Sequence, residues 1–410
     1  MFLYGILSTI VFITVIPFVF AFRKCIGKPN AGLKEKFGFI SSPFKSGDDI
    51  IMLHGVSVGE VIALENLAKK IKETFPDKKL VVTTGTKTGQ EIAHKKYEGI
   101  ADYITYFPFD IPFCVNGFLR RLSPKTVFIA ETEIWPYFAY ACHKRNIPIE
   151  IINGRISDST FNSYMKVKFF FKEVFKNFTA IYTQSEDDKR KYIEVGANPD
   201  KVEVMGNLKF DVKRKDTDIQ MGQDGYRVII AGSTHAGEDE IVLNTFKNLK
   251  SKHSDIKLLL ASRHPKRVPD IENILKNMGL TYGLRSKDDK FTDYDIILLD
   301  TLGELGKMYS ICHFAFIGGS FNKTGGHNPL EASVYDKPTI TGPSIHNFKD
   351  IYGILNKTNA GQIVKTPEEF EQYQDKLLSD NVFYESACND CKTVFEAQQG
   401  ALDFVISKLS

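Results

Sequence analysis

The sequence predicts an α/β protein made of two Rossmann-like, doubly wound parallel sheets in series. Three observations carry that expectation. Short aliphatic or β-branched runs alternate with longer helical patterns, as in strands covered on both faces. The alternation occurs twice, with a polar stretch between the two sets. Residues of distinctive chemistry gather just beyond the runs, where open α/β sheets take their ligands. At 410 residues the chain is long enough for two cores of ordinary size.

In chain order, the first element is Phe2 to Phe22, an uncharged stretch of 21 residues, sufficient to cross a bilayer as a helix. Arg23, Lys24, Lys28, Lys34, Lys36 and Lys45 follow, with Glu35 the one acid among them, so residues 1–47 carry +5 in a chain whose total is +3. A cleavable secretory signal normally opens on a positive segment, and no charged side chain precedes Arg23. The expectation is an uncleaved membrane anchor over 1–24 and a basic juxtamembrane linker over 25–47. Lys and Arg concentrate on the cytoplasmic side, so the rest of the chain is expected there, with anionic head groups adding to the attachment.

The first set of strands comprises DIIMLHG (Asp49 to Gly55), KLVVTTG (Lys79 to Gly85), TVFIAETE (Thr126 to Glu133), IPIEIING (Ile147 to Gly154) and AIYTQS (Ala180 to Ser185). It places a first domain over 48–210. The polar stretch 211–225 reads as an interdomain linker. YRVIIAGS (Tyr226 to Ser233), IKLLLASRHP (Ile256 to Pro265), DIILLDT (Asp295 to Thr301), FAFIGGS (Phe314 to Ser320) and KPTITGP (Lys337 to Pro343) then give a second domain over 226–410, closing with helices. Ligands are expected in a cleft between the two. Within the first domain, Tyr164, Val167, Phe171, Val174 and Phe178 form one helical stripe over Phe161 to Phe178, read as a core-packing helix. Phe169 and Phe170, with Lys166, Lys168, Lys172 and Lys176, leave open a face turned to lipid.

Composition removes several classes of function. Hydrophobic residues make up 43% and charged residues 25%, a globular balance, and 53 Lys+Arg against 50 Asp+Glu is too even for nucleic acid. Neither HGVSVGEV after the first strand nor AGSTHAGEDE after the first strand of the second set has G-x-G-x-x-G spacing, which argues against a nicotinamide oxidoreductase. There is no P-loop. Of six cysteines only Cys388 and Cys391 are close in sequence, with no second ligand pair at metal-site spacing, so reduced structural thiols are expected and no metal.

Glu60 stands three residues after Ser57, which suits a capping box at a helix start and equally a general base at the edge of a cleft. Glu131 and Glu133 flank a strand end beside Trp135, the one tryptophan; acids there are costly to bury unless partnered. Lys209, in GNLKFD, closes the first domain. Arg263, His264, Lys266 and Arg267 stand at a strand end in the second. GGHNPLEAS (Gly325 to Ser333) reads as a glycine loop entering a helix, with Asn328 as N-cap, Pro329 in the first turn and Glu331 at the capping-box position. A helix start faced by those cations suits a phosphate-bearing ligand. For His264 and His327, spacing alone does not choose between a cleft and a polar loop.

Taken together, HGVSVGE, TTGTKTG, ETEIWP, NGRISD, GNLKFD, GSTHAGE, SRHPKR, LGELGKMY, FIGGSF, GGHNPLEA and GPSIHNF resemble, in order and spacing, the 3-deoxy-D-manno-octulosonic acid (Kdo) transferase family. The resemblance covers essentially the whole chain. It implies the two-domain GT-B glycosyltransferase fold and transfer of Kdo from CMP-Kdo to a lipid A precursor at the inner face of a Gram-negative cytoplasmic membrane. It makes the first domain the acceptor side and the second the CMP-Kdo side. Glu60 matches the family's proton acceptor, and Glu131 and Lys209 its transition-state stabilisers. His264 and Pro265, then Gly303, Glu304 and Leu305, then Asn328, Pro329, Leu330 and Glu331 match the CMP-contacting segments, with Arg263 beside them; no cofactor is implied. One candidate base and no evident nucleophile suggest an inverting displacement, with domain closure bringing donor and base together. The competing expectations are an epimerase-like GT-B enzyme and a non-catalytic, membrane-tethered sugar-nucleotide binder.

Overall fold

A computed structural model describes residues 2–25, 31–215 and 218–409. The chain divides into two units. One holds the chain up to Asp211 together with the segment from Gln398 onward, and the other is Val212–Ala397.

In the first unit, β1 (Ile50–His54), β2 (Lys79–Thr84), β3 (Tyr103–Tyr106), β4 (Thr126–Ala130), β5 (Ile149–Gly154), β6 (Ala180–Thr183) and β7 (Val202–Val204) form a sheet in the order β3-β2-β1-β4-β5-β6-β7. All its pairings are parallel, for example Ile51 with Leu80 and with Thr126. Alternate residues feed two separate cores. Ile50, Met52, Val127 and Ile129 pack under the helices Pro112–Leu122 and Pro136–His143, whereas Ile51, Leu53, Phe128 and Ala130 pack under Glu65–Thr74. This double burial is why the strands read as mainly apolar runs without a strict polar alternation.

The second unit repeats the plan. Its strands β8 (Arg227–Thr234), β9 (Ile256–Ser262), β10 (Gly283–Leu284), β11 (Ile296–Leu298), β12 (Cys312–Ile317), β13 (Thr339–Thr341) and β14 (Gly361–Ile363) run β10-β11-β9-β8-β12-β13-β14. Ile229, Leu258 and Phe316 face one core, and Ile230, Leu259 and Ile317 the other. The α/β class and both sheets agree with expectation.

Several boundaries differ. The second domain does not run to residue 410: the helix Ala401–Lys408 returns to the first unit, where Ala401, Leu402 and Val405 join the core under β1. Burying Leu402 and Val405 contributes about 1.5–3 kcal/mol each. The Asp211 carboxylate fixes the crossing by accepting from the Gly400 and Leu402 N–H groups, both at 2.7 Å. The stretch 211–225 is no free linker, because Ile219 and Met221 are buried in the second unit's core; residues 216–217 lie outside the described residues.

Nor is 25–47 a free linker. Ile40 is buried in the first unit, and the Arg121 guanidinium donates to the Gly38 carbonyl at 3.1 Å. Gly38 adopts φ +83 against the Cys114 backbone, where a side chain would collide. Lys28 lies outside the described residues. Phe161 to Phe178 is two helices, Asp158–Lys166 and Lys168–Phe175, broken at Val167. Val174 and Phe178 are core, but Val167 at the break is exposed, as is Phe169 at 77%, while the Phe170 ring packs tilted against Tyr4.

A helix, Phe2–Cys25, occupies the stretch read as an anchor. Its early residues pack on the first unit: the Tyr4 hydroxyl donates to Asp110 at 3.1 Å, and Phe12 meets Phe37 and Phe109. Ile6, Leu7, Ile10, Val11, Ile13, Phe18 and Phe22 are exposed. Among the described residues no helix is long and apolar enough to cross a membrane.

Candidate active site

In each unit the strand order reverses beside the first strand, between β1 and β4 and between β8 and β12. These are the switch points where loops diverge and leave a crevice.

At the first switch point, β1 ends at His54 and the helix Val58–Ala63 begins after Ser57. Ser57 Oγ accepts from the Glu60 N–H at 3.3 Å, the Ser57 hydroxyl donates to Glu60 Oε1 at 2.7 Å, and Glu60 Oε2 accepts from the Val56 N–H at 2.6 Å. The capping reading is therefore correct in geometry, and it also holds the carboxylate in place. Glu60 is 9% exposed. Burial raises its pKa, the Ser57 and Val56 hydrogen bonds oppose that rise, and the charge of Glu131 adds to it.

Glu131 immediately follows β4 with φ 57, a left-handed conformation that is uncommon for a glutamate and aims its side chain away from the strand's run. Its two oxygens are held separately. Lys209 Nζ lies 3.2 Å from Oε1, and Arg155 Nε donates to Oε2 at 3.1 Å. Lys209 is placed by the short turn Leu208–Phe210, where Asn207 Oδ1 accepts from the Lys209 N–H and Asn153 Oδ1 from the Leu208 N–H, both at 3.0 Å. Glu133 has a carboxyl pushed up to about 7 by burial and by the charges of Glu60 and Glu131. The fold thus brings Glu60, Glu131, Glu133 and Lys209 together, and adds Arg155.

At the second switch point, Glu238 joins the loops after β8 and β12. Buried at 1% exposure, its Oε2 accepts from the His235 and Gly319 N–H groups and its Oε1 from those of Ser320 and Phe321, at 2.7–2.9 Å. His264 and Arg263 are exposed on the loop after β9, followed by Pro265 in a short turn. Arg267 leaves the expected cation cluster, because its guanidinium is bound to the buried Asp239 and to the Thr234 carbonyl.

The helix entered by GGHNPLEAS is a single turn, Leu330–Ser333, with Pro329 rather than the expected Asn328 at the cap position. Asn328 Oδ1 still accepts from the Leu330 N–H at 3.1 Å. Leu330 is buried. Glu331 does not complete a capping box: its carboxyl is crowded by protein atoms, which raises its pKa against the pull of Lys215 and Arg263. Four residues give too small an aligned dipole to hold a phosphate unaided. Gly303 takes φ +80, and Glu304 is bound by the Thr301 hydroxyl and by Lys307 at 3.2 Å, the Thr301 bond chiefly lowering its pKa. A side chain at Gly306 would lie 3.5 Å from Glu331 Oε2, so the segment after Leu305 and the segment 328–331 are neighbours.

Residues 31–212 match the family model of 3-deoxy-D-manno-octulosonic-acid transferase. A Kdo transferase of Haemophilus influenzae is 32% identical over 387 residues, 92% of this chain and 90% of the relative. The chain belongs to the Kdo transferase family. The transferase is 34% identical to its Rickettsia felis relative over 81% of this chain and 72% of that one. Its fold is GT-B: over 88% of this chain and 99% of the other, it aligns with TM-score 0.53 and 13% identity to a UDP-GlcNAc 2-epimerase from Neisseria meningitidis. The family makes it a glycosyltransferase of lipopolysaccharide biosynthesis.

Proposed function

We propose that the enzyme transfers Kdo from CMP-Kdo to a lipid A precursor of the lipid IVA type, with inversion at the anomeric carbon. The observation that supports this best is the cluster at the first switch point: one buried carboxylate, Glu60, held by Ser57 and Val56, beside a second, Glu131, already neutralised by Lys209 and Arg155. Glu60 is the group free to accept a proton. Its raised pKa gives it a stronger pull on an acceptor hydroxyl than an ordinary surface carboxylate has. Lys209 and Arg155 supply fixed positive charge where the reacting oxygen becomes negative.

The donor's nucleotide is assigned to the second unit, at His264 and Pro265, Gly303 to Leu305 and Asn328 to Glu331, with Arg263 beside them. The helix Phe2–Cys25 is assigned to the cytoplasmic face of the inner membrane, with its exposed apolar residues against lipid. Incubating the full chain with CMP-Kdo labelled in the sugar and a lipid A precursor tests the reading. Label entering lipid with one CMP released per sugar is the expected result. Label remaining in a free sugar nucleotide would overturn it.

A further inference from the structure

Three histidines stand at the ends of three adjacent strands of the second sheet: His264 after β9, His235 after β8 and His327 after β12. His235 and His327 flank the switch point itself. Their rings are parallel within 9°, with centroids 5.3 Å apart, and their Nε2 atoms approach to 3.0 Å. The His264 ring stands edge-on to His235 at 5.7 Å. A nitrogen-to-nitrogen contact of that length holds one hydrogen between two lone pairs. One further proton converts the pair into an imidazolium donating to an imidazole, without opening it. The pair therefore stores one positive charge.

The surroundings decide when that charge is present. Arg263 and His264 act on both rings from the β9 loop, and the charge of Arg267 acts on His235 alone. Glu238, whose charge acts on His235, already accepts four backbone N–H groups, and Asp239 is bound to Arg267. On the other side, His346 lies against Gly325 and the Tyr352 hydroxyl donates to the His327 carbonyl. Burial, then Arg263, His235 and His264, push His327 down to about 4, and burial lowers His235 as well. The lowered pKa values leave the pair neutral beside the Arg263 guanidinium, and an incoming anion reverses the balance.

We infer that His235 and His327 form a proton-sharing pair that binds the nucleotide phosphate and takes up one proton as that phosphate gains its second charge. The inference rests on the second unit being the donor site. In the transfer, the acceptor O–H breaks and its proton goes to Glu60, while the acceptor oxygen bonds to the anomeric carbon. The bond from that carbon to the phosphate oxygen breaks, and its electron pair stays on phosphate. A singly charged diester becomes a doubly charged monoester, and the pair takes its proton from water. Its role is to bind and neutralise the leaving group.

The test is calorimetric titration of CMP into the full chain at pH 7.5, where free CMP is almost fully ionised, in two buffers of different ionisation enthalpy. About one proton is taken up per CMP bound, cytidine causes no uptake, and above pH 7 CMP affinity falls about tenfold per pH unit. In His235→Gln and His327→Asn, each checked for an unchanged melting temperature, uptake disappears and the pH dependence flattens. CMP binding without proton uptake, or uptake that persists in both variants, would overturn the inference and leave the donor site standing. Failure of CMP to bind would remove the donor assignment and the inference together.

Discussion

Replacing Lys209 with methionine removes a charge while keeping most of the stem. The Lys209 Nζ to Glu131 Oε1 distance of 3.2 Å and side-chain exposures of 25% and 9% place the pair at an effective dielectric near 20, hence a gross attraction of about 5 kcal/mol. Desolvation of the ammonium cancels about half, leaving about 2–3 kcal/mol net. Arg155 stays 3.1 Å from Oε2, so Glu131 keeps one partner and the unit folds. A loss of that size lowers the melting temperature by about 5–10 °C. With less positive charge beside Glu60, Glu131 and Glu133, transition-state stabilisation falls and turnover drops about 100-fold or more. Scanning calorimetry reads the first effect and CMP release in the presence of lipid acceptor the second, with Lys209→Arg retaining most of both. A Lys209→Met enzyme that melts early but turns over normally would refute the catalytic part of this reasoning.

Two other substitutions probe one carboxyl in each unit. The folded pKa of Glu133 is raised from 4.5 to about 7, so the folded state binds the extra proton; stability falls as pH rises from 4.5 to 7 and stays low above it. The shift corresponds to at most about 3 kcal/mol, cut to about 1–2 by the water still reaching the side chain. Glu133→Gln therefore raises the melting temperature above pH 7 and flattens the profile below it, and a profile identical to that of the unmodified enzyme would contradict the assignment. Glu238→Gln keeps one acceptor oxygen and strands two buried N–H groups of the β8 and β12 loops, costing about 3 kcal/mol and weakening CMP binding; unaltered affinity and melting would show that those loops need no tie.

The legibility of this fold follows burial. Every strand that read as a strand is interior to its sheet, covered on both faces and rich in aliphatic or β-branched residues. The four that did not, β3, β7, β10 and β14, are the four sheet edges. β10 is only Gly283–Leu284, and β7 has a single buried residue, so neither leaves a run to recognise. The C-terminal helix was legible as a helix but not as part of the first unit, since an apolar face does not name the sheet it will cover. Its address is written in Asp211, whose carboxylate caps it from 189 residues away.

The same division holds at the site. Glu60, Glu131 and Lys209 were legible from their motifs, Glu60 three residues after Ser57, Glu131 at a strand end and Lys209 in GNLKFD, yet their pairing depends on β1, β4, β5 and the turn after β7 coming together. Arg155 and Lys209 meet Glu131 across 24 and 78 residues of sequence. The left-handed turn at Glu131, which aims the carboxylate, has no mark in composition. Glu238 was hidden by its own ordinariness, since an acid in the first turn of a helix normally serves the dipole. Its four bonds to other loops were visible only in the fold.

Glu60→Gln tests the central claim most directly. The amide oxygen still accepts from the Val56 N–H, so the cap and the fold survive, but the side chain cannot take a proton. CMP affinity, measured by calorimetry, should stay within about twofold while transfer of labelled Kdo into lipid falls by about 10²- to 10⁴-fold. Transfer at the unmodified rate would contradict the account.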